Sequence, residues 1–290
     1  MIRIALLAAL VFGSVVFIAT LAMAWRSRPV RPSPEGMAIS AAANFFDTLG
    51  IGSFAPTTAY LKFRRLIPDE LIPATMMVGY GLPATVQALV FIGGVKVDPL
   101  LLGLSIASAV IGALVGVGVA ARLPVRPIRL VMGLGLLIAA ASFAASALGL
   151  MPPGGSATGL APTAMIIVVA ASFLFGVLVN LGIGNFAPTL VLVSLLGMDP
   201  RAAFPLMAGS AALLTLVAGV RIVRIRPLNM SLVLGMALGG VPAVLVAAFI
   251  VKSLPIAQLR WGVIAVVTYA AAVMLRAALA GPARPVAGAI

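Results

Sequence analysis

Asp47 is the one carboxylate of this chain set inside an apolar stretch; Glu35, Asp69, Glu70, Asp98 and Asp199 stand in loops or at the ends of apolar runs. A carboxyl group in hydrocarbon-like surroundings is costly when ionised, so it carries a proton, pairs with a cation or caps backbone donors. Asp47 lies three residues after Asn44 and three before Gly50, where the stretch Leu49-Gly50-Ile51-Gly52-Ser53-Phe54-Ala55-Pro56-Thr57 begins to break a helical run. That stretch recurs as Leu181-Gly182-Ile183-Gly184-Asn185-Phe186-Ala187-Pro188-Thr189, with eight of nine positions unchanged at an offset of 132. Each copy reads as helix, break, helix, because Gly-x-Gly interrupts the run and a proline suits the first turn of the helix that follows.

The remaining inventory excludes much chemistry. With no Cys and no His, thiolate or imidazole metal sites, Ser-His catalysis and disulfides are all ruled out. A di-acid active site within the membrane lacks a second carboxylate, so no enzyme, metal or cofactor is expected.

The surroundings of these residues are a membrane. A hydrophobic fraction of 63%, a charged fraction of 9% and a mean hydropathy of +1.24 lie far outside the soluble range. Apolar runs long enough to cross the hydrocarbon core recur along the chain. The net charge of +13 sits at the ends of these runs, where anionic head groups and the positive-inside bias account for it without nucleic acid.

The chain divides into an N-terminal anchor helix and linker (1–36), a first repeat (37–150), an uncharged loop (151–162), a second repeat (163–280) and a tail (281–290). Ala22-Met23-Ala24 resembles a small-residue cleavage site, but the preceding apolar stretch exceeds a signal-peptide core, which favours a retained anchor. Each repeat is expected to hold a broken segment (37–61 and 163–197) and three helices. Those of the first are read over about 71–94, 99–121 and 127–150, and those of the second over about 201–220, 228–251 and 256–279. Pro68 and Pro73 match Pro200 and Pro205. Val95-Lys96-Val97-Asp98-Pro99-Leu100 matches Val223-Arg224-Ile225-Arg226-Pro227-Leu228, and Leu123-Pro124 and Arg129 match Leu254-Pro255 and Arg260. Gly112 and Gly116, and Gly235 and Gly239, have the spacing of close helix packing in lipid.

Topology depends on whether the broken segments cross the bilayer. If both cross, Lys and Arg divide ten against nine; if both re-enter as hairpins, fourteen lie on one side and five on the other. Only the hairpin arrangement obeys the positive-inside rule. It gives each repeat an odd number of crossings, so the two enter from opposite sides as an inverted repeat. The expected fold is therefore an all-α polytopic membrane protein, with an N-terminal helix and two inverted repeats, each a re-entrant segment followed by three transmembrane helices. The span Thr163 to Leu181 is itself long enough to cross, which leaves a fully crossing second segment open.

The duplicated Leu-Gly-Ile-Gly-x-Phe-x-Pro blocks at 49–56 and 181–188, each followed about a dozen residues on by another proline, resemble the sulfite exporter (TauE/SafE-like, or 4-toluenesulfonate uptake permease) family. So do the tails Leu123-Pro124 to Arg129 and Leu254-Pro255 to Arg260, and the likeness covers about residues 37–280. It departs from the family at Ser53 and Asn185, where a third glycine is common. The resemblance implies a secondary transporter of small anions in the cell inner membrane, with sulfite, organosulfonate or sulfoacetate-like oxyanions as the substrate class.

A broken backbone deep in a bilayer leaves N–H and C=O groups that a cavity, water or ligand must satisfy. A helix starting near Ser53 or Asn185 points free N–H groups and its positive dipole end at mid-membrane, which favours an oxyanion. The candidate binding residues are Gly50, Gly52, Ser53, Phe54 and Thr57 of the first block and Gly182, Gly184, Asn185, Phe186 and Thr189 of the second. The candidate coupling group is Asp47, with Asn44 and, at the second break, Asn180; the repeat counterpart of Asp47 is Val179. Tyr80 and Gln87 share a helix face and could line the path, while Thr75, Ser105, Ser210 and Thr215 suit packing hydrogen bonds. Partners are expected to be the anion and membrane lipid, with a homodimer left open. An anion channel and a non-transporting membrane scaffold are the alternatives.

Overall fold

The computed structural model describes residues 1–27, 29–49, 53–68, 71–119, 155–179, 185–225, 227–253 and 256–279, with shorter pieces between 126 and 148. Among them are α1 (Ile2–Ser27), α2 (Pro34–Thr48), α3 (Phe54–Arg64), α4 (Ile72–Gly79), α5 (Gly81–Gly94) and α6 (Pro99–Val119). They continue with α7 (Pro162–Val179), α8 (Phe186–Leu195), α9 (Ala203–Ile225), α10 (Met230–Ser253) and α11 (Ile256–Leu279). No strand occurs among the described residues, only an isolated bridge between Ala157 and Met198. Among the described residues, four stretches are long and apolar enough to cross a membrane: Ile2–Ser27, Pro99–Gly116, Pro200–Arg224 and Met230–Ile250. Large apolar side chains such as Phe12, Ile111, Ile166 and Phe249 point outward, as an all-α protein solvated by lipid requires.

Helix starts follow local chemistry. Ser33 accepts from Gly36 N–H at 3.0 Å ahead of Pro34, Asp98 accepts from Leu101 N–H at 2.8 Å, and Asn229 accepts from Leu232 N–H at 3.0 Å. Each satisfies an orphan donor of a first turn. The run expected as one helix over 71–94 is instead two, α4 and α5, joined at Tyr80. Pro83 lacks the N–H that would bond back to Gly79, and such a gap is a common cause of a kink.

Two helix crossings are close enough to involve backbone. The α2–α10 pair meets where a Cβ on Gly235 or Gly239 would overlap the Ser33 or Met37 carbonyl. Gly112 and Gly176 do the same for α6 and α7, against the Phe173 and Ala109 carbonyls. Small residues thus let backbones approach, as the glycine spacing leads one to expect for Gly112, Gly235 and Gly239. Each crossing joins the first arm of one broken segment to a helix of the other half of the chain. α5 and α9 pack against each other at the centre, with Phe91 and Phe204 ring centroids 5.0 Å apart. α1 lies along α9, α5 and α6, its Phe17 ring seated against Gly81 and Gly219.

The ends of each broken segment meet. At the start of α2, Glu35 accepts from Tyr60 Oη at 2.8 Å and from Arg64 Nε at 2.9 Å, both on α3. Ahead of α7, Ala157 N–H donates to the Gly197 carbonyl at 3.3 Å, and Asp199 N–H donates to the Ala157 carbonyl at 2.9 Å beyond α8. Both α3 and α8 are followed by a residue in the left-handed region, Arg65 (φ 49°) and Gly197 (φ 86°), again 132 positions apart. The two meeting points belong to different ends of the bundle. Thr158 accepts from Asp98 N–H at 2.8 Å, beside the end where the Arg3 guanidinium donates to the Gly93 carbonyl. Ser33 N–H donates to the Ser231 carbonyl at 2.9 Å, beside Glu35 and at the far end of α1.

Candidate functional site

The break between α2 and α3 gathers the polar residues of the first half. Asp47 reaches forward from the last turn of α2, and its Oδ1 accepts from Ser53 N–H at 2.7 Å. That bond satisfies a donor at the start of α3. Asp47 is 8% exposed, and no Lys or Arg pairs with it among the described residues; the described ion pair is Glu35 with Arg64.

Around the carboxyl, each neighbour is set by a different helix. On α2, Asn44 Nδ2 donates to Ser40 O at 3.0 Å and lies 2.9 Å from Ser40 Oγ, which itself donates to the Met236 carbonyl of α10 at 2.7 Å. Thr48 donates to the Asn44 carbonyl at 2.8 Å. On α3, Thr57 Oγ1 and the Tyr80 hydroxyl share a hydrogen bond of 2.5 Å, and the Phe54 ring packs edge-on against Tyr80 at 5.6 Å. Tyr80 comes from the α4–α5 kink, so the kink aims the phenol at the break. From α5, Gln87, 1% exposed, lies against the Asp47 carboxyl, the acceptor within its reach.

The second break is different. Asn185 precedes α8 with no capping bond from its side chain, its carbonyl accepts from Thr189 N–H at 3.1 Å, and Thr189 is buried. Phe186 opens α8. Among the described residues no hydrogen bond joins Asn185 or Thr189 to the Asp47 cluster. Gly50, Gly52, Asn180, Gly182 and Gly184 lie outside the described residues. The structure thus brings together Asn44, Asp47, Ser53, Phe54 and Thr57 with Tyr80 and Gln87, the pair expected to line the path, and adds Ser40.

Of the polar residues assigned to packing, Ser210 and Thr215 bond back to carbonyls of their own helix, and Thr75 Oγ1 accepts from Asn229 N–H at 3.1 Å. Ser105 Oγ has no partner.

At the mouth of the first segment, the Tyr60 hydroxyl and then the Arg64 guanidinium hold the Glu35 carboxyl below the usual carboxylate range. Sequence reasoning passed over this trio. Its signal was a lone acid at the start of a segment whose far end is basic, readable only once the ends are known to meet. A cavity of about 310 Å³ lined by Arg126, Pro127 and Leu130 with Ala278 and Leu279 lies elsewhere, beside the bond from Arg126 Nε to the Ala278 carbonyl. No group of His, Cys, Asp or Glu able to hold a metal occurs among the described residues.

Fold and site define the class: an all-α membrane protein whose interrupted helices carry buried polar groups. No protein-family model, curated protein or solved structure matches the chain.

Proposed function

We propose that the chain is a multi-pass inner-membrane secondary transporter of small anions, with sulfur-containing oxyanions as the substrate class and protons as the coupling ion. The observation that carries this reading is the buried Asp47 carboxyl bonded to Ser53 N–H at a helix break. A carboxyl buried in an apolar chain is costly and most often functional, and here it stands on a backbone donor where a helix begins.

The repeat plan supports the reading. The two nine-residue blocks mark two breaks, the outer ends of each broken segment meet, and they meet at opposite ends of the bundle. These contacts favour two oppositely entering hairpins in an inverted repeat, the arrangement that also sorts the basic residues to one side. The resemblance to the sulfite exporter family supplies the substrate class, and among the described residues no Lys or Arg pairs with Asp47, which suits weak binding and release.

The test is flux in proteoliposomes. Labelled sulfite, methanesulfonate and sulfoacetate should enter with saturation and respond to an imposed pH difference. A linear, pH-indifferent flux would indicate a channel. No flux, together with no thermal stabilisation by sulfite, sulfate, sulfoacetate, taurine or carboxylates, would refute transport.

A further inference from the structure

We infer that the cavity between Arg126 and the end of α11 holds the phosphodiester headgroup of an anionic phospholipid. The inference does not depend on what the chain transports.

Two stretches far apart in sequence build this cavity. One runs from Arg126 and Pro127 to Leu130, and the other is the last turn of α11, with Ala278 and Leu279. Further along, Gly133 stands against the Leu275 side chain, so the two stretches touch beside the cavity. The space left open is about 310 Å³, at the small end of the range of ligand pockets. Arg126 follows the candidate span Pro99–Gly116, and α11 ends at Leu279. The cavity therefore lies at helix ends, the level of lipid headgroups.

One cation is fixed in it. Arg126 is exposed, and its Nε donates to the Ala278 carbonyl at 2.9 Å. That bond satisfies an orphan acceptor at the end of α11 and holds the guanidinium in place. Among the described residues no hydrogen bond takes up the two terminal nitrogens. A guanidinium held by Nε presents the rest of its planar fork of N–H donors, which matches the oxygens of a phosphate.

Neither stretch contains an acid to answer that charge. No Asp or Glu occurs between Asp98 and Asp199, and none follows Asp199 to the last residue, Ile290. Arg122 and Arg129 stand close to Arg126 in sequence, and Arg276 is in the last turn of α11. These cations outweigh the negative end of the α11 dipole, which amounts to about half a charge. An anion from outside the chain completes the site.

The walls decide which anion. Pro127, Leu130 and Leu279 are apolar and exposed. A free phosphate or sulfur oxyanion would lose hydration against them and gain nothing in return. A phospholipid brings its phosphodiester to the guanidinium and lays its glycerol and upper acyl carbons along the leucines, as suits a basic pocket between membrane helices.

The test offers the purified chain, in neutral detergent, an equal mixture of phosphatidylglycerol and phosphatidylcholine with matched acyl chains. Native mass spectrometry then reads the ratio of the two in the first bound lipid. Wild type should prefer phosphatidylglycerol. Arg126→Gln should cut that preference by about tenfold or more, the loss of a charged hydrogen-bonded pair. Leu130→Trp, which fills the cavity and keeps the guanidinium, should cut it as well. Arg224→Gln removes an exposed cation elsewhere and should change the ratio by less than about twofold. No preference in wild type, or a preference unchanged in Arg126→Gln, overturns the site. So does an equal loss in Arg126→Gln and Arg224→Gln, which would mean surface charge alone. Excess inorganic phosphate or glycerol phosphate should leave the lipid bound; full displacement by either would make this a free-anion site and overturn the lipid. Should Arg126→Gln not fold, Leu130→Trp set against Arg224→Gln decides in its place.

Discussion

Cysteine substitution at the ends of the broken segments separates a re-entrant hairpin from a crossing helix by a large margin. α2 has 15 residues and α3 has 11, so at about 1.5 Å per residue the two arms laid end to end would separate their outer ends by about 39 Å. Folded back, they bring Glu35 within 2.9 Å of Arg64. The second segment gives the same contrast: Ala157 and Met198 are bridge partners, placing them about 4.8 Å apart. The chain has no native cysteine, so Glu35→Cys/Arg64→Cys and Ala157→Cys/Met198→Cys need no background removal. A short bis-maleimide should link each pair in native membranes, read as a mobility shift after cleavage at a protease site inserted between the two positions. An impermeant maleimide should block the first pair from the cytoplasmic face and the second from the periplasmic face. Failure of the first pair to link in folded protein would refute the hairpin. Linking of both pairs with blocking from one common face would leave hairpins but refute their inversion.

Four further substitutions probe packing and charge. Gly239→Ala places a methyl on the Met37 carbonyl and should destabilise the α2–α10 crossing by about 1–3 kcal/mol, read as a lower melting temperature; an unchanged value would mean the helices are farther apart. Tyr80→Phe leaves Thr57 Oγ1 without the phenol and should cost about 1–3 kcal/mol, and adding Thr57→Val should recover part of the loss in a double-mutant cycle. The Glu35 carboxyl is held below the usual range by Tyr60 and Arg64, so its contribution to stability is present above that range and fades as pH falls through its lowered titration. Wild type should therefore melt above Glu35→Gln at neutral pH, and the gap should close on strong acidification; a gap that widens in acid would reverse the sign.

Composition was enough for the membrane and the helices, because an apolar fraction this large permits little else. The duplicated blocks at 49–57 and 181–189 located the starts of α3 and α8, at Phe54 and Phe186, since a proline in a first turn carries its meaning locally. What escaped the sequence depends on chain reversal. Asp47 and Ser53 are six apart, a separation that would not pair them on a continuous helix, and they meet only because the chain turns between α2 and α3. The same reversal brings Glu35 to Arg64. The kink at Tyr80 had a local signal, Gly79 four residues before Pro83, but uninterrupted hydrophobicity over 71–94 masked it.

The inequality of the two breaks bears on stoichiometry. If the duplicated blocks were packing kinks alone, the same local sequence would be capped in the same way at both, yet Asp47 closes the first while Val179 stands at the matching position of the second. If the chain works as proposed, its one carboxylate within an apolar stretch, Asp47, sets one proton per cycle. A monovalent sulfonate moving with that proton transfers no net charge, so its flux in proteoliposomes should follow the pH difference and ignore the membrane potential. Divalent sulfate with the same single proton carries one negative charge, which at 100 mV is worth about 2.3 kcal/mol, so its accumulation should change by up to about fiftyfold for each 100 mV applied. Equal sensitivity of the two anions to potential would contradict a single titrating carboxylate, whatever else moves through the protein.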